Sequence, residues 1–331
     1  DYYFMLCSSY EISAKMRRHM KTDTFTDLDA FSETVTDVDC VMTLQNPRQR
    51  SWSVGQIQLP QTHVQWGKLG SGNIVEGQSW SNSYLLYLPL SSHCDYSING
   101  TVFKKGSALI FEPGSEFCLS TVDEHDWCSI LFPEHHLANQ RALNSASGTG
   151  HGLCKVTEPD HRLTSSLESA IADLFLTSAS NPDFEASPAA SVAEAQLIKA
   201  VSAFMGNLRA DRPTPTGRPE ISRRHIIRRA IECMEQRSRH PFSVKELAVA
   251  VRVSERTLRS AFHSWFGVGP ARYMKLRQLN QVRHDLKAAR PDEDSVSDIL
   301  LQNGVWEHGR FASHYTRFFG ETPSTTLRSA P

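Results

Sequence analysis

The chain has 331 residues, 40% of them hydrophobic and 21% charged, with a formal net charge of −1. That length accommodates about two domains and a sizeable buried core. The longest apolar run, Tyr84–Leu90, is far below the roughly 18–20 residues of a membrane-spanning helix, so no membrane partner is expected. A near-neutral charge also argues against a nucleic-acid binder, which ordinarily carries a basic excess, but only if the charge is evenly spread. The seven cysteines form no CxxC pair, which favours reduced thiols over a disulfide framework. No signal peptide is read in the sequence, and a cytoplasmic location is expected.

Residues 33–135 read as β-rich. Alternating runs at Ser53–Leu59, His63–Lys68 and Asn82–Leu90 are separated by Gly, Pro, Ser and Asn clusters about every ten residues, as in a sandwich or barrel. Within Gly100–Leu119, two glycine-containing turns flank one short apolar strand. The aromatic residues Trp66, Trp80, Tyr84, Tyr87 and Phe111 are the candidates for lining an apolar ligand pocket, with core packing as the competing role. Residues 161–209 read as helical, interrupted over Ser178–Pro188. Next comes Ala210–Pro219, with three prolines and a glycine in ten residues, which predicts a linker.

Cutting the chain after Thr216 overturns the charge argument. Residues 217–331 hold 20 Lys+Arg against 12 Asp+Glu, a net of +8, and the preceding residues carry −9. The neutral average conceals a basic C-terminal module and an acidic N-terminal one.

The basic module reads as almost entirely helical, and it repeats. Ile226, Ile227, Ala230, Ile231 and Met234 recur at helical spacing, with a stop expected near His240–Pro241. Ser243-Val244-Lys245-Glu246 is a capping-box start, with Leu247 and Ala248 facing inward. After a short turn, Ser254 opens a second helix whose inward stripe is expected to be Leu258, Phe262 and Trp265; Glu255, Arg256, Arg259, Ser260 and His263 face outward. The same phrase returns from Ser295, with Ile299 in the place of Leu247, Gly304 in the turn, and Phe311 and Tyr315 in the places of Leu258 and Phe262. Gly267 and Pro270 recur as Gly320 and Pro323. The offset grows from 52 residues at the serines to 53 at the prolines, so the second turn is one residue longer. Two short helices about a tight turn, the second polar on its outer face, describe a helix-turn-helix, and here there are two. Between them Ala271–Ala289 carries Tyr273, Leu276, Leu279, Val282 and Leu286 on one stripe, predicting a long, stiff connecting helix.

On these residues the stretch 220–328 resembles the DNA-binding domain of AraC/XylS-family transcription regulators; the pattern covers about a third of the chain. The resemblance implies that base-reading side chains project from the middle of each recognition helix. By position these are Arg256, Arg259 and Ser260 in the first, and Glu307, His308, Gly309 and Ser313 in the second. Arginine offers bidentate donors to guanine. Arg223, Arg224, His263, Arg310 and Arg317 are the phosphate-contact candidates, which position a protein on DNA without reading sequence. Two residues depart from the family pattern: Gly309, where a polar side chain is common, and Leu300, where alanine is favoured and repacking is therefore expected. His308 and His314 read as capping or structural groups, and Trp306 as a turn-packing aromatic.

The N-terminal pattern resembles the cupin-like ligand-binding domains of EutR-type regulators. Metal-dependent cupins use an HxH pair followed by a glutamate; this sequence has no HxH. Glu112, Glu116, Cys118, Asp123, His125, Cys128, His93-Cys94 and His135-His136 are the residues from which a metal site would have to be drawn. Neither metal nor cofactor is expected, and no nucleophile motif or phosphate loop stands out.

The expected architecture is α+β: a β-rich cupin-like barrel over 1–160, a helical dimerisation or connector region over 161–209, a Pro-rich linker over 210–219, and an all-α double helix-turn-helix domain over 220–331. The implied function is a sequence-specific regulator, not an enzyme, in most relatives an activator. Its implied partners are promoter DNA, RNA polymerase, a small-molecule effector and a second copy of the chain. The alternatives are a DNA-binding repressor whose N-terminal domain only dimerises, and a cupin-type metal enzyme with a helical interaction tail.

Overall fold

The computed structural model describes residues 22–46, 50–70, 72–90, 96–102, 107–137, 154–157, 161–206, 223–237 and 242–329. The sequence readings over Ala210–Pro219, His240–Pro241 and His93-Cys94 lie outside the described residues. The chain divides into two compact units, one built mainly from residues before Thr216 and the other mainly from Thr216–Pro331.

The first unit contains strands β1 (Asp23–Phe25), β2 (Val38–Leu44), β3 (Trp52–Gln58), β4 (His63–Leu69), β5 (Asn73–Ser79), β6 (Ser83–Pro89), β7 (Tyr96–Ile98), β8 (Thr101–Val102), β9 (Ala108–Phe111), β10 (Glu116–Thr121), β11 (His125–Pro133) and β12 (Cys154–Thr157), with a short helix α1 (Leu28–Ser32) after β1. They form a seven-stranded sheet in the order β1-β3-β4-β11-β6-β9-β12 and a five-stranded sheet in the order β2-β5-β10-β7-β8. The β-rich expectation is therefore met by two sheets rather than one closed barrel: among the described residues, the edge strands of neither sheet pair with each other. Two longer helices follow, α2 (His161–Ser180) and α3 (Pro188–Gly206), separated by a tight turn in which Phe184 is buried.

Strand alternation explains how these parts stack. β11 is flanked by β4 and β6, in register Cys128↔Trp66 and Cys128↔Leu88. Its even-numbered Cys128, Ile130 and Phe132 share one core with Trp66, Tyr84, Leu86 and Ile110 and with Leu167, Ile171, Phe175, Leu197 and Phe204 of the helices. The odd-numbered Trp127 and Ser129 point the other way, into a space shared with Val75, Phe117 and Leu119 of the second sheet. A strand covered on both faces cannot show the apolar/polar alternation of a half-exposed one, which is why seven of the nine residues of β11 are buried.

Some of the polar groups in this interior pair with one another. The buried Asp37 carboxylate receives the Ser129 hydroxyl on one oxygen and meets His63 Nδ1 at 2.5 Å on the other. His125 lies 2.7 Å from the Tyr87 hydroxyl and tilts against the Tyr96 ring; burial pushes its pKa down to about 4. Cys40, Cys118, Cys128 and Cys233 are unbridged, and burial raises the thiol pKa of the first three. Among the described residues, no helix is long and apolar enough to cross a membrane.

The second unit is helical: α4 (Arg223–Gln236), α5 (Val244–Val251), α6 (Glu255–Phe266), α7 (Pro270–Ala288), α8 (Val296–Gln302), α9 (His308–Phe319) and α10 (Pro323–Arg328). α7 runs for 19 residues, and its stripe Tyr273, Leu276, Leu279, Val282 and Leu286 is buried along its whole length. At about 1.5 Å per residue this is a rod of roughly 28 Å, and the two helix pairs are built on it.

Candidate nucleic-acid interface

Each helix pair is set by its caps. In the first, the Ser243 hydroxyl accepts from Glu246 N at 3.2 Å while Ser243 N donates to Glu246 Oε2 at 2.8 Å, closing the capping box. These bonds to the ionised carboxylate hold the Glu246 pKa below its ordinary value. α5 then stops at Arg252, whose backbone is left-handed at φ 61°, and Val253 N reaches back to Ala248 O at 3.0 Å. Ser254 caps α6 by accepting from Thr257 N at 3.1 Å. Gly267, at φ 69°, ends that helix, and Pro270 starts α7.

The second pair repeats these devices. Ser295 accepts from Asp298 N at 3.1 Å, Gly304 takes the left-handed position at φ 67°, and Val305 N reaches back to Leu300 O at 2.9 Å. Arg252 and Gly304 occupy the same point of the turn, which marks Arg252 as the residue held in a backbone region that favours glycine. α9 ends at Gly320, φ 79°, and Thr322 caps α10.

The buried sides of the recognition helices are aromatic. On α6, Leu258, Ala261, Phe262 and Phe266 face inward; Phe262, Phe266 and Tyr273 form a cluster with ring centroids 4.1–5.4 Å apart. Trp265, expected on that stripe, is only half-buried, and Phe266 takes the inward place because the helical period returns there after Phe262. On α9, Phe311, Tyr315, Phe318 and Phe319 face inward, and the Tyr315 hydroxyl lies 2.9 Å from Thr326 Oγ1. Leu247, Ala248, Ile299, Leu300, Pro270 and Pro323 are likewise buried. Leu300 fills the α8 position matched in α5 by Ala248. Arg283 of α7 pairs with Glu321 and stacks 4.7 Å over Phe319, tying the second pair to the connecting helix.

The opposite sides are polar. α6 exposes Glu255, Arg256, Arg259, Ser260 and His263, and α9 exposes Gly309, Arg310, Ser313 and Arg317, with Glu307 exposed just ahead of it. Arg259 is held by Glu255 at 3.1 Å and Arg310 by Glu307 at 3.2 Å. The Ser313 hydroxyl bonds back to Gly309 O at 3.0 Å. Arg223 and Arg224 are exposed at the start of α4. His308 is the first residue of α9 and half-buried; it does not cap, since the cap position is Glu307 and no side chain bonds there. His314 stacks on Phe318, and burial together with Lys275 and Arg317 lowers its pKa. Trp306, read from sequence as packing in the turn, is 70% exposed instead, because Val305 already fills the inward place.

The five pocket aromatics do not converge. Tyr87 and Phe111 line an apolar cavity of about 60 Å³ between the sheets, together with Phe31, Val35, Phe117 and Trp127. Trp66 and Tyr84 sit on the helix-covered face of the seven-stranded sheet, packed on Phe175 and Phe132. Trp80 is exposed in a turn, its indole nitrogen donating to Thr36 O. The sequence named the right residue type, but strand parity, which decides the face, had to be read strand by strand. Asp37 and Ser129, the polar residues lining that cavity, were missed because neither belongs to a motif. Among the described residues no group of three or more His, Cys, Asp or Glu is placed to hold a metal ion.

Two helix-turn-helix units on one stiff connecting helix define the class of the second unit, a double helix-turn-helix reader. Residues 247–329 match the helix-turn-helix domain family, and they carry the AraC/XylS-like pattern described above. The chain is similar to the probable thc operon regulatory protein of Rhodococcus erythropolis, 35% identical over 106 residues, which are 32% of this chain and 32% of that protein. It is also similar to the XylDLEGF operon transcriptional activator of Pseudomonas putida, 33% identical over 100 residues, 30% of this chain and 31% of that one. The chain thus spans about a third of the length of these curated relatives. Among solved structures, a transcriptional regulator from Chromobacterium violaceum, described as AraC-type, is 28% identical over 31% of this chain and 89% of that chain, with a TM-score of 0.29.

Proposed function

We propose that this protein is a sequence-specific DNA-binding transcription regulator, acting as an activator, with an effector-responsive N-terminal unit. The carrying observation is the pair of exposed polar helix faces, α6 and α9, mounted on one 19-residue connector. B-DNA presents its major groove on one face every ~34–36 Å. A single chain with two such helices reads two adjacent groove segments without dimerising. Arg256, Arg259, Ser260, Glu307, His308 and Ser313 are then the base-reading set, with Gly309 lying among them. Arg223, Arg224, His263, Arg310 and Arg317 hold phosphates.

The naming of the Pseudomonas putida relative as a transcriptional activator supports activation, which requires contact with RNA polymerase. The cavity between the sheets supports an effector site: its wall is apolar, with the Asp37–Ser129 pair as the polar feature. At about 60 Å³ it is smaller than the ~300–1,000 Å³ of ordinary ligand sites. An effector of metabolite size therefore has to displace α1 or the Val35–Val38 segment, and that displacement is the change it transmits to the DNA-binding unit. Binding must favour the DNA-competent arrangement differentially for anything to shift.

The test is selection of duplexes from a randomised pool by the full chain, followed by titration of the selected and an unselected duplex at several salt concentrations. Selective binding that weakens steeply with salt supports the reading; equal binding to both duplexes refutes it. For the effector, a metabolite panel is screened for thermal stabilisation of the full chain, with about 2.7 kcal/mol expected at a hundredfold excess over Kd.

A further inference from the structure

The two helix-turn-helix units align in sequence at a constant offset except at one point. Up to Val253 and Val305 the offset is 52; from Leu258 and Phe311, both buried, it is 53. Between those points the first unit has Ser254 as the cap of α6, whereas the second has Trp306 and Glu307. The longer turn has no counterpart of the Ser254 cap: the Glu307 side chain makes no cap hydrogen bond to α9. It also leaves the indole 70% exposed, the place toward the core being taken by Val305. The exposed indole and the uncapped start of α9 set this corner apart from its counterpart in the first unit.

The surroundings of Trp306 select the kind of partner. The helix it introduces carries Arg310 and Arg317 on its outer side, and Lys275 of α7 lies against it with its ammonium 4.7 Å over the Phe311 ring. Burial and then Arg310 lower the Lys275 pKa, and burial, then Lys275 and Arg317, lower that of His314. Lys275, Arg310 and Arg317 gather positive charge beside α9, which favours a polyanionic partner. Glu307, the carboxylate at this corner, is engaged by Arg310. Gly309, one helical turn from Trp306, is open on its outer side: a Cβ there meets nothing within 4 Å.

We propose that Trp306 is a DNA-contacting residue of the second helix-turn-helix, its indole laid against the deoxyribose or a thymine methyl at the edge of the groove that α9 enters. Apolar contact with the thymine methyl is one of the ways the major groove is read. This rests on the DNA-binding function proposed above. It makes the second unit's reading partly apolar, where the first relies on arginine.

The experiment uses the full chain, a duplex selected by it from a randomised pool, and an unselected duplex of equal length. Indole fluorescence is compared between wild type, Trp306→Phe and Trp306→Ala, so that subtraction isolates Trp306 from the other five tryptophans. The expected result is a change in the Trp306 contribution on adding the selected duplex. Trp306→Ala should lose about tenfold in affinity, the size of one good contact, with Trp306→Phe retaining most of the binding and both keeping an unchanged salt slope. Wild-type affinity in Trp306→Ala, with no DNA-dependent change in the subtracted signal, overturns the proposal while leaving DNA binding intact. A Trp306 signal that responds to RNA polymerase holoenzyme without DNA, and not to the duplex, also overturns it. If no duplex is enriched from the pool, the DNA-binding reading falls and this inference falls with it.

Discussion

Replacing Arg259 with alanine removes a guanidinium that is 53% exposed on the outer face of α6 and held 3.1 Å from Glu255. In the free protein that pair is solvent-exposed and contributes about 0.3–0.5 kcal/mol, which must be given up when the arginine turns to a base. A bidentate contact to guanine discriminates by about 1–3 kcal/mol. The net loss expected on DNA is therefore about 0.5–2.5 kcal/mol, or roughly 2- to 60-fold in affinity. It should be confined to one base pair: on duplexes altered at that pair, wild type and Arg259→Ala bind alike. Fluorescence anisotropy between 50 and 300 mM salt provides the assay, and the salt slope should stay nearly constant, since no phosphate contact is removed. As a companion, Glu255→Gln should tighten binding severalfold at low salt by freeing Arg259 and removing a negative charge from the face. A uniform loss across all sequences, with the slope falling by about one, would refute the placement of Arg259 in the groove and make it a phosphate ligand.

Four further outcomes follow from the structure. Phe262→Ala empties the centre of the Phe262–Phe266–Tyr273 cluster and should cost about 3–5 kcal/mol in denaturant unfolding. Tyr315→Phe removes the hydroxyl that meets Thr326 and Arg283 and should cost about 1–2 kcal/mol; a loss as large as that of Phe262→Ala would contradict this reading of the packing. Gly309→Ala, at a position with open space and no positive φ, should stabilise the protein by about 0.5–1 kcal/mol. If it also weakens DNA binding, the backbone of a duplex comes within contact of that turn. His125, neutral and buried with its pKa lowered to about 4, takes up a proton first in the unfolded chain. Stability from this group is complete above about pH 6.5 and is lost as pH falls toward 4. The thermal midpoint should drop across that window, and His125→Gln should flatten the slope; an unchanged slope in the variant assigns the pH dependence elsewhere.

The C-terminal unit was largely legible because its signals are local. Caps at Ser243, Ser254 and Ser295, the glycines at 267, 304 and 320, and the stripe from Tyr273 to Leu286 are each fixed by residues within a few positions. The one-residue insertion was visible in the offset, but not its consequence: whether Trp306 packs or projects depends on Val305 filling the inward place, a matter of three-dimensional packing. The same holds for Trp265, which lost its expected place to Phe266. In the N-terminal unit the strands were readable and their assembly was not. Short strands such as β9 pair with β6 and β12 across long stretches of chain, and strands buried on both faces, such as β11, show no alternation from which to assign Tyr84 to the helix side and Tyr87 to the sheet side. Asp37 meets Ser129 and His63 only through tertiary structure.

The central claim is that one chain carries two readers held at a fixed spacing by α7. Hydroxyl-radical footprinting of the full chain on its selected duplex tests this most directly. The account predicts two protected windows on one face of the DNA, about 10–10.5 base pairs apart, the window assigned to α6 being lost first in Arg259→Ala. A single window, or two whose separation is set by the pairing of two chains and vanishes when the chain is monomeric, would contradict it.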